Sequence, residues 1–249
     1  MSAARSLCAS MLAMTALLAA PAAAWAETQG FEEAFARFVA RDFEGARALA
    51  APLAEAGDRD AQHLLGYLDE QGLGGAKNLP RAIELYAKAA TAGSADAQFA
   101  LGELAYHGDG VKQDRERAAG WYALAAGQGH PRAQVQLGLI RMNGDAGPRD
   151  PEAAAALFEK AARQGDADGA YFLGAAYMNG VGRAQNYARA AALFEEAAQG
   201  GRAEGAYNLA LIYDNDAAKP KRKDQGADYW MRRAAEAGLS EAMVGLALM

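Results

Sequence analysis

The chain has 249 residues and a formal net charge of −6, and 52% of its residues are apolar. This apolar content excludes a disordered chain, and the length allows one large domain or an elongated array of repeats. The acidic charge, without a basic stripe, disfavours nucleic acids and anionic membrane surfaces as partners.

The first 26 residues have the pattern of an export signal. Arg5 precedes an apolar run over residues 7–20, and residues 24–26, "AWA", place small side chains where signal peptidase requires them. We expect cleavage between Ala26 and Glu27, which predicts a periplasmic or secreted protein without stable membrane insertion. The alternative is an uncleaved membrane anchor, for which the run is short, since a bilayer span needs about 20 residues.

Cleavage would remove Cys8, the only cysteine of the chain. The remaining protein could then form no disulfide and no thiolate metal site.

The rest of the sequence repeats with a period of 36 residues. One column of glycines, each after a leucine, comprises Gly66, Gly102, Gly138 and Gly174, and Leu209-Ala210 continues it. A second column with the same step comprises Gly93, Gly129, Gly165 and Gly201. Two columns in register predict a stacked array of repeats.

The second helix of each repeat is predicted from apolar residues at i, i+3, i+4, i+7 and i+8, which share one face of a helix. We expect the bulky residues of this stripe in the core: Leu85-Tyr86, Trp121-Tyr122, Leu157-Phe158, Leu193-Phe194 and Trp230-Met231. Four residues before the first stripe alanine stand the predicted N-caps, Asn78, Asp114, Asp150 and Asn186. The second glycine column is predicted to end these helices in the left-handed conformation.

The first helix of each repeat carries the Leu-Gly pair. A glycine within a helix costs about 1 kcal/mol relative to alanine. Its return in four repeats therefore predicts close contact between helices at that point.

The combined pattern is Ala-x-x-x-Leu-Gly, then Gly-x-Gly-Val, then Asp-x-x-x-Ala-x-x-Trp-Tyr-x-x-Ala-Ala-x-x-Gly. It is clearest in residues 97–129, "AQFALGELAYHGDGVKQDRERAAGWYALAAGQG". The sequence resembles the Sel1-like repeat family, relatives of the tetratricopeptide repeat, in its exported bacterial form. The resemblance implies an all-α fold, a right-handed α-solenoid of antiparallel helix pairs.

The predicted organisation begins with the signal peptide, residues 1–26. Residues 27–58 are predicted to form a tetratricopeptide-like capping repeat, with Phe31, Phe35 and Phe38 on one face and a turn at residues 41–46. Residues 59–249 hold the Sel1-like repeats. Their five units lie near 60–95, 96–131, 132–167, 168–203 and 204–239, before a terminal helix at 240–249.

The resemblance implies a non-catalytic scaffold or adaptor of the bacterial envelope that binds a protein or peptide in a concave groove. The residues agree with this, since only Ser94, Ser240, Thr28 and Thr91 carry aliphatic hydroxyls after residue 26. The histidines lack HExxH spacing, and no phosphate-binding loop is present. We predict no catalytic residue, no metal site and no cofactor.

Two other functions stay open. One is a periplasmic regulator that docks on and restrains a membrane sensor or assembly factor. The other is an envelope hydrolase acting on cell-wall material through a pair of carboxylates.

Repeat columns that vary on the first helices are the candidates for partner binding. By the geometry of the family, ten residues are expected at the groove: Tyr67, Glu70, Phe99, Glu103, Tyr106, His107, Met142, Tyr171, Met178 and Tyr207. Their aromatics, methionines and acids suit an extended peptide or an amphipathic helix with a basic edge. The alternative is that several of them pack the first helix against its neighbour. We expect Tyr67, Tyr106 and Met178 to be exposed.

Two further features allow two interpretations each. Asn143, Asn179 and Asn215 could grip a peptide backbone, or could mark helix ends, since the first two precede glycines. The basic loop Lys219–Lys223 could be a solvated loop, a partner contact or a protease-sensitive segment.

Overall fold

The computed structural model describes residues 22–220, 222 and 224–248. Residues 1–21 of the predicted signal lie outside the described residues, and so do Lys221 and Lys223 of the basic loop. The first described helix begins at Ala22, so the predicted cleavage point between Ala26 and Glu27 falls within it.

Thirteen α-helices form the regular structure of the described residues. The first seven are α1 (Ala22–Val39), α2 (Phe43–Glu55), α3 (Arg59–Gln71), α4 (Leu79–Thr91), α5 (Ala95–His107), α6 (Arg115–Gly127) and α7 (Pro131–Asn143). The others are α8 (Pro151–Ala162), α9 (Ala167–Asn179), α10 (Tyr187–Gln199), α11 (Ala203–Asp214), α12 (Ala227–Glu236) and α13 (Ser240–Leu248). The predicted all-helical fold of paired helices is confirmed.

The chain divides into two compact units, the first ending at Ala97 and the second beginning at Gln98. In the first unit, α1 pairs with α2, α3 pairs with α4, and α2 packs on α3. In the second unit, α7 pairs with α8, α9 with α10 and α11 with α12, while α8 packs on α9 and α10 on α11. Within each unit, these pairs therefore contact the next pair along the chain.

The repeat glycines lie against the stripe aromatics of their own repeats. A Cβ atom at Gly66 would lie 2.8 Å from the Tyr86 ring, and one at Gly138 would lie 2.4 Å from the Phe158 ring. Gly102 and Gly174 face Tyr122 and Phe194 in the same way. These four aromatic side chains are buried. The close helix contact predicted from the glycine column is confirmed, and its cause is a ring that fills the place of a side chain.

The loop between the two helices of a repeat is fixed in the same way in four repeats. The backbone N–H of Asp114 donates to Ala105 O at 2.8 Å, and the bond from Asp150 to Arg141 O has the same length. The first and fourth repeats make the equivalent bonds from Asn78 and Asn186. The four side chains then accept a backbone N–H three residues on, so the predicted N-caps are confirmed.

The turn of the first helix pair is shorter than predicted. Residues 41–46 were expected to form it, but α2 already begins at Phe43. Asp42 is the N-cap, because its Oδ1 accepts the Gly45 N–H at 3.0 Å. Its Oδ2 accepts a hydrogen bond of 2.8 Å from Arg37 at the end of α1. A side chain that the sequence placed within the turn therefore ties the two helices together.

A buried ion cluster joins three helices of the first unit. Asp69 of α3 is ion-paired with Arg47 of α2, and its second oxygen lies 3.5 Å from Nε of Arg81 on α4. The Asp69 side chain is only 2% exposed. A buried carboxylate needs such partners, since desolvation without them is costly.

None of the helices in the described part of the chain is both long and apolar enough to cross a bilayer.

Candidate protein-binding cleft

The structure separates the ten predicted groove residues into exposed, half-buried and buried ones. Tyr67 and His107 are exposed, with Tyr67 at 36%. Phe99 is buried at 8%. The half-buried ones are Glu70, Glu103, Tyr106, Met142, Tyr171, Met178 and Tyr207. Exposure at Tyr67 is confirmed, whereas Tyr106 and Met178 are less open than expected.

Phe99 packs against neighbouring helices, as in the alternative interpretation of the groove residues. Its ring stacks on His130 at a centroid distance of 4.7 Å and lies 5.8 Å from the Tyr122 ring. The guanidinium of Arg132 covers it at 4.8 Å. The expectation that Phe99 faces an open groove is therefore wrong, because its ring fills the space between α5, α6 and the start of α7.

Tyr171, Tyr207 and Met178 pack beside the core of the last repeats. All three contact the buried cluster around Phe194 and Leu209. The guanidinium of Arg202 lies 4.1 Å above the Tyr171 ring. These residues are half-buried because of contacts within the second unit.

Glu70 and Glu103 are hydrogen-bond partners of the stripe tyrosines. The Tyr86 hydroxyl donates to Glu70 at 2.7 Å, and the Tyr122 hydroxyl donates to Glu103 at 2.5 Å. Burial first, and then these hydrogen bonds, raise the pKa of both tyrosines well above the ordinary value. Both hydroxyls therefore stay protonated donors, and the two acids satisfy a core group.

Tyr106 and His107 form a small pair of rings at the end of α5. Their rings meet edge to face at 5.2 Å, and the Arg115 guanidinium lies 5.7 Å from the Tyr106 ring. His107 is the more open of the two. Among the described residues, no group of three or more His, Cys, Asp or Glu side chains is close enough to hold a metal ion.

Met142 lines a cavity of about 290 Å³ in the second unit. The cavity is also lined by Leu139, Phe172, Ala175 and Asn179. It is the smaller of the two apolar cavities described in this subsection.

The three asparagines Asn143, Asn179 and Asn215 lie at helix ends, which is the second of their two interpretations. Asn143 and Asn179 are the last residues of their helices, and Gly144 and Gly180 end them in the left-handed conformation. The Asn215 side chain donates to Leu211 O at 2.8 Å. In the basic loop, Lys219 pairs with Asp216 and Arg222 with Asp224.

The first unit has an open apolar cleft of about 680 Å³, lined mainly by α1 and α3. We call it the aromatic cleft and define it by its lining residues, which are Phe31, Phe35, Phe38, Asp60, His63, Leu64, Tyr67 and Asp96. Phe35 is 48% exposed. The volume of the aromatic cleft lies within the range of about 300–1,000 Å³ that is usual for binding sites.

A row of rings forms the apolar wall of the aromatic cleft. Phe31 and Phe35 stack at a centroid distance of 6.1 Å, and Phe35 and Phe38 stack at the same distance. Tyr67 of α3 meets Phe38 edge to face at 5.7 Å. Tyr67 thus covers Phe38 but leaves Phe35 open, which explains the exposure of that ring.

Of the ten predicted groove residues, Tyr67 lines this cleft and the other nine do not. The three phenylalanines were assigned to a capping face, and the two aspartates to no role. The available signal was the spacing of Phe31, Phe35 and Phe38 at i, i+4 and i+7. It marks a shared face, but it does not say whether another helix covers that face.

The helix pairs, the glycine-aromatic contacts and the capped loops define an all-helical repeat protein. The Sel1 repeat family model matches residues 59–94, 95–130, 131–166, 167–201 and 203–239. The chain therefore belongs to the Sel1 repeat family.

Solved structures of bacterial proteins have the same fold. A Sel1 repeat protein from Oxalobacter formigenes is 30% identical with a TM-score of 0.79, and the match covers 87% of this chain and 86% of that one. A protective antigen present in uropathogenic Escherichia coli strains is 27% identical with a TM-score of 0.78. That match covers 89% of this chain but 48% of the antigen, so the chain spans about half of its length.

An immunity protein from Pseudomonas aeruginosa is 19% identical with a TM-score of 0.52, over 88% of this chain and 81% of that one, and at this identity it shows the fold alone. Among curated proteins, none matches the sequence significantly.

Proposed function

We propose that this protein is a non-catalytic, protein-binding scaffold of the bacterial envelope and that the aromatic cleft is its partner-binding surface. The observation that carries the proposal is the open row of rings in that cleft. Exposed apolar patches on soluble proteins mark interaction sites, and aromatic side chains are enriched in the energetic centres of interfaces.

The use of the hydroxyl groups supports a non-catalytic role. Ser94 is buried, and its Oγ accepts the Ala97 N–H at 3.3 Å at the start of α5. The Thr91 hydroxyl donates to Ala87 O at 2.8 Å within its own helix. A nucleophile needs a positioned base beside it, and these two hydroxyls instead bond to the backbone of helix ends.

Export is supported by the leader pattern of the first 26 residues. The test is the N-terminal sequence and the intact mass of the protein recovered from the periplasmic fraction. We expect a mature chain that begins at Glu27. A protein found only in the cytoplasm with an intact N-terminus would contradict the export proposal.

The binding role is tested by site-specific photocrosslinking in living cells of the source bacterium. A photoreactive amino acid replaces Phe35 in one strain and Leu124 in another. Leu124 is the matched control, because it is an exposed apolar residue of similar openness, 53%, that does not line the aromatic cleft.

We expect a discrete adduct from position 35, identified by mass spectrometry as the same protein in repeated experiments, and none of it from position 124. Equal adducts from both positions, or none from position 35, would count against the cleft as a binding surface. If the captured protein is a membrane sensor or an assembly factor, the scaffold acts as a regulator.

A further inference from the structure

The shape and the charge of the aromatic cleft also indicate what kind of segment enters it. We propose that the partner presents a cationic amphipathic helix, with apolar side chains against Phe31, Phe35 and Tyr67 and with Lys or Arg side chains beside Asp60 and Asp96. This inference rests on the proposed function, since it names the class of partner for that surface.

The walls of the cleft favour a helix over an extended strand. Phe31, Phe35 and Phe38 occupy positions i, i+4 and i+7 of α1, and so extend over about 10 Å at 1.5 Å per residue. The second wall comes from His63, Leu64 and Tyr67 of α3. Backbone groups within both helices bond inside their own helix and offer no sheet edge to a strand. A groove between two helices takes the apolar face of a third one.

The spacing of the rings defines where the apolar side chains of the partner would lie. Phe38 is already covered by Tyr67, whereas Phe35 is about half exposed. The partner therefore contacts Phe31, Phe35 and the outer face of Tyr67, and it needs two or three apolar side chains on one face. Such a face follows from apolar residues at i, i+3 or i+4, and i+7.

The charge of the cleft is acidic on the rim. Asp60 and Asp96 stand at equivalent positions of two repeats, each in the first turn of its helix. The residues that line the cleft, all within the described part of the chain, include no lysine or arginine.

Asp60 has a cationic neighbour that does not prevent this role. Nε of Arg59 lies 3.5 Å from its carboxylate, and both side chains are about half exposed. An ion pair in that position is weak, since solvent screens it. The Asp60 carboxylate can therefore exchange Arg59 for a cation of the partner or contact both.

The experiment measures binding of three synthetic helical peptides to the purified protein by fluorescence anisotropy. The first carries Leu at i, i+4 and i+7 and Lys along one edge of the apolar face, and the second has Glu in place of each Lys. The third has the composition of the first in an order without an apolar face. We expect the Lys peptide to bind about tenfold more tightly than the Glu peptide, and the reordered peptide not to bind.

Two variants test the residues of the cleft, and each has a matched control. Phe35→Ala is expected to weaken binding of the Lys peptide about tenfold, as for an aromatic residue at an interface centre. Its control Leu124→Ala should leave binding unchanged.

The double variant Asp60→Asn, Asp96→Asn should reduce the preference for the Lys peptide over the Glu peptide to about threefold or less and should flatten the salt dependence of that preference. Its control is Asp228→Asn, an exposed first-turn aspartate outside the cleft. Circular dichroism establishes that all variants stay folded.

Three results would overturn the inference. One is equal or tighter binding of the Glu peptide, and another is an unchanged Lys preference in the Asn double variant. The third is concentration-dependent dimerisation of the protein that Phe35→Ala abolishes, which would mean that a second copy of the chain occupies the cleft. If cationic helices do not bind while photocrosslinking at position 35 still captures one partner, the partner class is wrong and the proposed function stands. If both experiments fail, both proposals are wrong.

Discussion

In four of the five repeats, a glycine of the first helix packs against an aromatic ring of the second. The fifth repeat shows how the pair changes together. It has Ala210 at the glycine position and Met231 at the ring position, and both are buried in one cluster. A methionine is flexible and leaves room for a methyl group where a ring does not. The glycine is therefore required by the ring it faces, and not by the helix.

We expect Gly138→Ala to destabilise the protein. The new Cβ would lie 2.4 Å from Cε1 of Phe158, a buried ring without room to move. Overpacking of this kind costs about 1–3 kcal/mol, against a gain in helix propensity of about 1 kcal/mol. Urea denaturation followed by circular dichroism gives the free energy of unfolding.

The control for this variant is Gly120→Ala. Gly120 also lies within a helix, but nothing lies within 4 Å of a Cβ placed there. It should be neutral or stabilising by up to about 1 kcal/mol. In a Phe158→Met background the penalty of Gly138→Ala should largely vanish, as a double-mutant cycle would show. An unchanged penalty in that background would contradict the explanation from the ring.

The stripe aromatics and the glutamates beside them also change together from repeat to repeat. The first two repeats have Tyr86 and Tyr122 and supply a nearby glutamate for each hydroxyl. The next two have Phe158 and Phe194, and the columns of Glu70 and Glu103 become apolar there. Comparison of the repeats could therefore have assigned these two acids to the core instead of to a groove.

At the scale of helices, the ends were more predictable than the faces. The caps Asn78, Asp114, Asp150 and Asn186 follow from local chemistry, because a short polar side chain before a helix satisfies a free N–H wherever the helix packs. The cap at Asp42 was not predicted, because the other repeats have no equivalent residue from which to infer it. The exposure of Phe35 and the burial of Phe99 depend on which helix covers each ring, which is not a local property.

Asp42 should make the first helix pair sensitive to acid. The hydrogen bond from Arg37 and then the one from the Gly45 N–H lower the pKa of the Asp42 carboxyl below its ordinary value. A lowered pKa stabilises the fold above the unfolded-state pKa of about 3.9, and this contribution is lost as pH falls through the folded value. We expect Asp42→Ala to lower the melting temperature at pH 7 and to make a smaller difference at pH 3. A difference that is equal at both pH values would rule out the charged cap as its source.

The buried ion cluster predicts unequal roles for its two arginines. Arg47 is only 20% exposed and contacts Asp69 directly, whereas Arg81 is about half exposed and lies farther away. Loss of a partner from a buried ion pair costs about 2–4 kcal/mol after allowance for partial exposure, while a surface partner contributes up to about 1 kcal/mol. Arg47→Ala should therefore reduce the free energy of unfolding more than Arg81→Ala. Similar losses in urea denaturation would show that Asp69 depends on neither arginine in particular.

At the scale of the whole molecule, the repeat period predicted the helix pairs and their order along the chain. The boundary between the two compact units falls between Ala97 and Gln98, within α5, and no break in the repeat pattern marks it. The position of the aromatic cleft was also not predictable from the period. It depends on α1 and α3 leaving a space beside Phe35, and the period says nothing about the packing of the first helix pair.

Since the helix pairs of each unit contact the next pair along the chain, damage to one repeat should stay local. Gly66→Ala, which places a Cβ 2.8 Å from the Tyr86 ring, perturbs the first unit, and Gly138→Ala perturbs the second. Hydrogen exchange followed by mass spectrometry should show faster exchange in α3 and α4 for the first variant, and in α7 and α8 for the second. Gly120→Ala, which meets no neighbour, should change neither region. If instead both damaging variants accelerated exchange equally in every helix, the protein would open as one cooperative block, and stability would not be a sum over neighbouring repeats.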